Sequence, residues 1–538
     1  MKKNYLVVLL IVSGSVFAQV QSVWTKRFNG PTNTADDAKF VVVDHNGFVY
    51  VGGVIPRLLG YPDFAVIKYD QNGDTVWVRY HNSPVNRGGT LHGLAVDRFG
   101  NVIVTGASDG VNYTDFATVK YDADGNQLWE KRYDGCDIDA AEALAVDASG
   151  NIFVTGSSSR VYESDDYLTI KYAPNGDTLW SRRFAGQDGS MDISTAIAID
   201  KLGNVTVTGT RDWRYGTVDY LTLRYSGYGT IMWGQRYNGP ANGHDYARAI
   251  AVDDDGNVYV TGDSYTNTNP DIATIKYSAN GDSLWVQRYN GPANSDDRVS
   301  AIAVDSSGNV VVTGTSSVSG TGFDFLTIKY TSSGVEQWVR TYAGYLNYTD
   351  AATSLAIDRF GNVYVTGSIA SSSTNRDFAT IKYDGDGSQK WVITYEGSGN
   401  SEDIANGVCV DTSGYVYVTG SSQGAGTGLD FTTIKYRQTS VGVGEDPHDI
   451  PGAFELAQNY PNPFNPSTTI NYALPHTSFV ALTVYNTLGQ QVSQLVNEQQ
   501  QAGYHDVVFR GDGLASGVYF YRIQAGDFVA SKKLLLLK

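Results

Sequence analysis

Two cysteines and three methionines among 538 residues leave this chain without the thiol framework that staples small secreted scaffolds. Positive charge is also scarce. Thirty-nine Lys and Arg stand against 56 Asp and Glu, a net charge of −17, so the average surface repels a phosphate backbone and nucleic acid is excluded as a partner. Beyond the amino terminus no apolar run reaches the roughly 20 residues that a membrane helix needs. The seven histidines show no His-x-x-x-His spacing, and there is no Gly-x-Ser-x-Gly elbow or phosphate-cradling loop ending in Lys-Ser or Lys-Thr. No catalytic residue, metal ligand set or cofactor site emerges. What is present in quantity is glycine, 59 residues, and tyrosine, 37, a composition that suits many short strands joined by tight turns.

Lys2 and Lys3 precede the apolar run Tyr5 to Val12, and Val16-Phe17-Ala18 follows. This order predicts a signal peptide over 1–18, cut before Gln19, with no transmembrane span left after cleavage. Export places Cys136 and Cys409 in an oxidising compartment. Cys409 takes a position that alanine fills in other copies of the repeat described next, so it reads as a small core residue and the two thiols as unpaired.

Trp24, Trp77, Trp129, Trp180, Trp233, Trp285, Trp338 and Trp391 recur every 51 to 53 residues. Between successive tryptophans lie three more signatures, as in Ala251-Val252-Asp253, Val258 to Gly262 and Asp271 to Tyr277. Each alternates with period two and is bounded by Gly, Asn or Asp, so each reads as one strand. Four antiparallel strands in about 50 residues make one blade of a propeller. The fold class expected is all-β: an eight-bladed β-propeller over 19–436. The last copy ends at Tyr436 without its Trp strand, and Val23 to Phe28 supplies it, so the amino-terminal strand closes the last blade and removes an edge.

The run Ala301-Ile302-Ala303-Val304-Asp305, with Gly308-Asn309-Val310 and Thr313-Gly314, resembles the bacterial β-propeller repeats of the SBBP type. The resemblance covers about 24 to 436 and implies architecture alone. The turns before each Trp, as in Asn175-Gly176-Asp177-Thr178, also look like the Asp-box of sialidase-type propellers.

Residues 437–453 carry Gly, Pro and acids without alternation and read as a linker. Over 454–538, seven strand-like runs suggest an Ig-like β-sandwich. Tyr460-Pro461-Asn462-Pro463-Phe464, Gly489, Gly517 with Tyr519, and Lys532 match in order the type A carboxyl-terminal sorting domain of the type IX secretion system of Bacteroidetes-like bacteria. That resemblance implies passage through the periplasm, reading of residues 454–538 by the outer-membrane translocon, and a secreted or cell-surface product. The charge divides likewise: 454–538 holds five basic and five acidic residues, while 24–436 holds 31 basic and 48 acidic.

Two acid series recur in every blade. Asp44, Asp97, Asp147, Asp200, Asp253, Asp305, Asp358 and Asp411 follow the first strand. Asp63, Asp115, Asp166, Asp219, Asp271, Asp324, Asp377 and Asp430 open the third. A catalytic pair is needed once, whereas a turn contact is needed in each blade, so these sixteen read as turn caps. A third series, Asp36, Asp139, Asp192, Asp245, Asp297, Asp350 and Asp403, is expected to ring one mouth of the channel. It either accepts bonds from backbone amides or holds a hard cation such as calcium. The Asp253-Asp254-Asp255-Gly256-Asn257 turn resembles part of a calcium loop without the later bidentate Glu.

Loops between the second and third strands vary while the strands repeat, which is where recognition sits on a rigid frame. Arg211, Trp213, Arg214 and Tyr215 form the most distinctive loop, with Tyr113, Tyr162 and Tyr265 in others. They are either ligand anchors or aromatics packed on the blade beneath. The expected function is a noncatalytic binding or scaffold module for an extracellular protein or polysaccharide. The alternative is a polysaccharide hydrolase or lyase using acids at the channel mouth.

Overall fold

The structure is a computed structural model. It describes residues 19–57, 61–135, 137–160, 164–186, 190–211, 216–266, 269–320, 322–344, 348–372, 375–398, 401–439, 454–457, 459, 464, 467–511 and 513–537. The signal-peptide expectation and Cys136 lie outside the described residues. Two compact units are present, Val20–Gln438 and Thr439–Lys538. No helix among the described residues is long and apolar enough to cross a membrane.

The first unit contains eight four-stranded antiparallel sheets. Their first strands are Asp37–Val43, Gly89–Val96, Asp139–Val146, Asp192–Ile199, Asp245–Val252, Asp297–Val304, Ala351–Ile357 and Asp403–Val410, here called the first strands of sheets 1 to 8. In sheets 1 to 7 the strands are hydrogen-bonded in chain order. Sheet 8 takes three strands from Asp403 to Thr439 and its fourth, Gln19–Phe28, from the amino terminus, beside Gly428–Thr439. First strands of successive sheets touch, and that of sheet 8 touches that of sheet 1, so the contacts run in a closed cycle.

Each sheet holds a glycine that no other residue can replace. In sheet 3 a Cβ on Gly156 would stand 1.9 Å from the carbonyl oxygen of Ala140, and Gly209, Gly262 and Gly314 meet the paired strand at 2.0 Å. A bulge lies beside each of these approaches, as between Ala141 and Ala143.

The cores lie between neighbouring sheets. Phe64 and Trp77 of sheet 1 pack with Leu91, Val104 and Tyr121 of sheet 2, and Trp24, Tyr417 and Phe431 of sheet 8 pack with Val49, Ile67 and Tyr69 of sheet 1. Polar bonds reinforce the same seams. Trp77 Nε1 donates to the Ala123 carbonyl at 3.1 Å, and Lys68 Nζ donates to that carbonyl at 2.8 Å. At the closing seam Trp24 Nε1 and Lys435 Nζ both donate to the Gln71 carbonyl, at 3.1 and 3.3 Å. In sheet 8 the third strand runs on through Gln438. The side chain of Gln438 replaces the turn carbonyl, accepting from Trp391 at 3.3 Å and Lys382 at 2.5 Å.

The second unit places a three-stranded sheet, Glu455–Leu456, Ser467–Leu474 and Gly503–Arg510, and a four-stranded sheet, Gln491–Gln500, Ser478–Tyr485, Gly517–Ala525 and Phe528–Leu536, around one core. Ile470, Leu482, Tyr521, Ile523 and Leu534 are buried in it.

Candidate functional site

Every sheet of the first unit has two chemically distinct ends. At the turn end, tight turns join the first strand to the second, and in sheets 1 to 7 the third to the fourth. At the loop end lie the connections between second and third strands and the entries to the next sheet.

At the turn end the Asp44 series is saturated with donors. Asp305 Oδ1 accepts from the Ser307 and Asn309 amides at 2.9 Å each, and Oδ2 accepts from Asn309 Nδ2 at 2.9 Å and faces Lys329 at 3.3 Å. Burial pushes such carboxyls up, but the donors outweigh it and hold Asp97, Asp253 and Asp305 below the ordinary carboxylate range. In the turn that resembles a calcium loop, Asp253 is taken by the Asp255 and Asn257 amides, Asn257 Nδ2 and the Tyr259 hydroxyl, while Asp254 is in the next loop position. Asp254 pairs with Lys201 at 2.7 Å, so two of the turn's three acids are already engaged.

The Asp63 series does not cap turns, which corrects half of the sixteen assignments. These residues stand at the loop end; six of the eight pair with an arginine, five of those with one on the fourth strand, while Asp377 accepts from Ser371 Oγ at 3.2 Å. Asp115 meets Arg132 at 2.8 Å, Asp166 meets Arg183 at 2.7 Å, Asp430 meets Arg27 at 3.0 Å and Asp271 meets Arg288 at 3.3 Å; Asp219 pairs with Arg236. The arginines lie two strands' width of sequence away, so turn spacing alone does not reveal the pairing.

The seven candidate cation-ring residues are almost fully buried. Each accepts a bond from a glycine amide just upstream, from Gly30 to Asp36 through Gly397 to Asp403, at 2.5 to 2.7 Å. Asp350 and Asp403 also accept from the amides of Ala370 and Gln423. With few donors against strong burial, Asp36, Asp139 and Asp192 are pushed up to about 6. The seven do not converge. Among the described residues the one group of acids close enough to share an ion is Asp115, Asp134 and Asp139, and Arg132 already neutralises Asp115 there.

Of the loop residues, Trp213, Arg214, Tyr215 and Tyr162 lie outside the described residues. Arg211 lies 5.8 Å over the Phe184 ring of sheet 3 and 3.9 Å from Asp192 of its own sheet. Tyr265 packs edge-on against Tyr246 and His244, with centroids 6.0 and 6.5 Å away. Tyr113 is exposed.

Sequence reasoning missed a cleft of about 550 Å3 at the turn end, between sheets 3 and 4. Ser149 and Asn151 line one side, Leu202, Asn204 and Tyr228 the other. The available signal was the loss of the polar residue that other sheets keep at the Tyr228 position.

In the second unit, Tyr460, Pro461, Asn462 and Pro463 lie outside the described residues. Phe464 is buried, pairs with Leu536 through a parallel bridge, and its ring meets Phe509 at 5.8 Å. Gly489, at φ +75°, closes the turn from Asn486, and Gly517 opens the strand on which the Tyr519 hydroxyl donates to the Ala515 carbonyl at 2.8 Å. Lys532 lies in the final strand Phe528–Leu536.

A family described as "Secretion system C-terminal sorting domain" matches residues 458–537, and one described as "Beta-propeller repeat" matches 236–267, 337–373 and 393–426. Among curated proteins, an uncharacterized WD repeat-containing protein of Acanthamoeba polyphaga mimivirus is 23 % identical over 202 residues, 28 % of this chain and 14 % of the relative. Among solved structures, PorZ of Porphyromonas gingivalis, described as an essential bacterial surface component of the type-IX secretion system, is 12 % identical at TM-score 0.41, covering 93 % of this chain and 74 % of that one. The β-propeller domain of the Trilobed protease from Pyrococcus furiosus is 8 % identical at TM-score 0.40, covering 66 % of this chain and 98 % of that one.

Proposed function

Because the chain carries SBBP β-propeller repeats and a type IX sorting domain, and so is exported to the cell surface or the extracellular space, we propose that it is a noncatalytic binding or scaffold propeller. In this reading the eight sheets are the blades of one eight-bladed ring, closed by Gln19–Phe28. Residues 1–18 are its signal peptide. The second unit is an Ig-like sandwich that the secretion translocon reads.

The observation that carries the reading is the engagement of the acids. The repeated carboxylates are held by turn amides in the first series, by arginines in most copies of the second and by glycine amides in the seven copies of the third. A hydrolase or lyase needs one pair set apart from its copies, at a separation suited to a sugar. Recognition then belongs to side chains that depart from the repeat, with the Trp213 loop the clearest in sequence. Glycan-array binding and reducing-end release measured on one preparation test this. Selective binding without release is expected; release of reducing ends establishes the hydrolase or lyase instead.

A further inference from the structure

Eightfold repetition supplies an internal control: what the fold requires appears in each copy, and a residue found in one copy answers to something else. Sheet 4 is the copy that departs at the turn end. At the third position of the turn between third and fourth strands, the other sheets carry Asn72, Asp124, Asn175, Asn280, Ser333 and Asp386, and sheet 4 carries Tyr228. The turn does not need the ring, because Gly229 at φ +80° makes the same bend that Gly125 makes after Asp124 at φ +81°. Its neighbouring turn carries Leu202. Sheets 2 and 7 have Phe99 and Phe360 there, but their second turns keep an aspartate. Sheet 4 alone pairs two apolar side chains.

Leu202 and Tyr228 are 86 % and 88 % exposed, the two most exposed large apolar side chains among the described residues, and both line the cleft against sheet 3. Its volume of about 550 Å3 falls within the roughly 300–1,000 Å3 of small-ligand sites. Four charged residues line it, Asp147, Lys171, Asp200 and Lys201, two of each sign, for a net charge of zero. All four are spent. Asp147 accepts from the Ser149 and Asn151 amides at 2.9 Å and from Asn151 Nδ2 at 2.7 Å; Asp200 pairs with the buried guanidinium of Arg224. Lys171 donates to the Gly227 carbonyl at 3.0 Å, and Lys201 pairs with Asp254. What lies open to a ligand is an aromatic face and a leucine beside hydroxyl and amide oxygens, with lining charges that sum to zero.

We propose that this cleft binds an uncharged carbohydrate chain. A pyranose presents C–H groups on one face, which suit an aromatic ring, and hydroxyls at its rim, which suit Ser and Asn. An acidic glycan meets lining charges that cancel, on a unit whose net charge is negative. The proposal rests on the binding-module reading and assigns it a ligand class and a recognition face at the turn end.

The test uses the full chain on an array of neutral and acidic glycans, followed by calorimetry on the tightest neutral oligosaccharide. Tyr228→Asn with Leu202→Ser installs residues the repeat itself uses at those positions, so folding is retained, and an unchanged melting temperature verifies it. A neutral glycan is expected to bind, with affinity falling about tenfold or more in the double variant and unchanged in Trp213→Ala. Undiminished binding in the double variant overturns the cleft while leaving the binding-module reading intact. Binding confined to acidic glycans overturns the ligand class. Failure to bind any glycan overturns the proposal, and the broader reading then stands or falls on a protein partner.

Discussion

The two ends of each sheet use the same side chain in opposite ways. At the turn end an aspartate receives three or more donors and is held ionised; Asp305 is the type. At the loop end an aspartate such as Asp297 is buried deeper with fewer donors, Gly291 donating at 2.5 Å, and burial raises it. The difference teaches that the local count of donors, and not the residue type, sets the charge of a buried carboxyl.

The largest effect is expected from breaking the turn end. Asp305→Ala strands the Ser307 and Asn309 amides and leaves the buried Lys329 ammonium with only the Gly385 carbonyl and no counter-charge from Asp305, so a loss of about 3 kcal/mol is expected in denaturant unfolding. Next comes pH. A carboxyl raised in the folded state binds its proton more tightly there than in the unfolded chain, so stability is lost as pH rises from about 4 to about 6. Asp36, Asp139 and Asp192 are therefore expected to raise the melting temperature by about 2–4 °C when pH falls from 7 to 5. Asp97, Asp253 and Asp305 are lowered, so their contribution is retained over that range and is lost only at more acid pH. The Asp36→Asn, Asp139→Asn, Asp192→Asn triple variant should flatten the rise, and a rise that survives it assigns the effect elsewhere. Smaller still is Asp297→Asn, which keeps an acceptor for the Gly291 amide and removes an ill-solvated charge. A change within about 1 kcal/mol at pH 7 is expected, well below that of Asp305→Ala. The smallest stability effect belongs to Tyr228→Asn with Leu202→Ser, within about 0.5 kcal/mol, because both side chains stand in solvent.

The strands were legible in the sequence because each of the four signatures combines period-two alternation with a bounding turn, and repetition fixed their order. The pairing of the Trp24 strand with the last sheet followed from the phase of that repeat. The arginine partners of the Asp63 series were not legible, since they reach across a paired strand, and an aspartate before a strand looks like a cap. The stand-in role of Gln438 was hidden because it lies past the last signature, where a side chain replaces a backbone carbonyl. The cleft was not legible because Leu202 and Tyr228 sit in turn positions that tolerate almost any residue.

Ring closure by the amino-terminal strand carries the account, and amide hydrogen exchange on the full chain tests it most directly. If Gln19–Phe28 covers the third strand of sheet 8, the amides of Phe431 to Tyr436 have strands on both sides and should be as protected as the equivalent Phe325 to Tyr330 of sheet 6. Exchange of Phe431 to Tyr436 as fast as that of a solvent-facing outer strand such as Gln389–Tyr395 would contradict it.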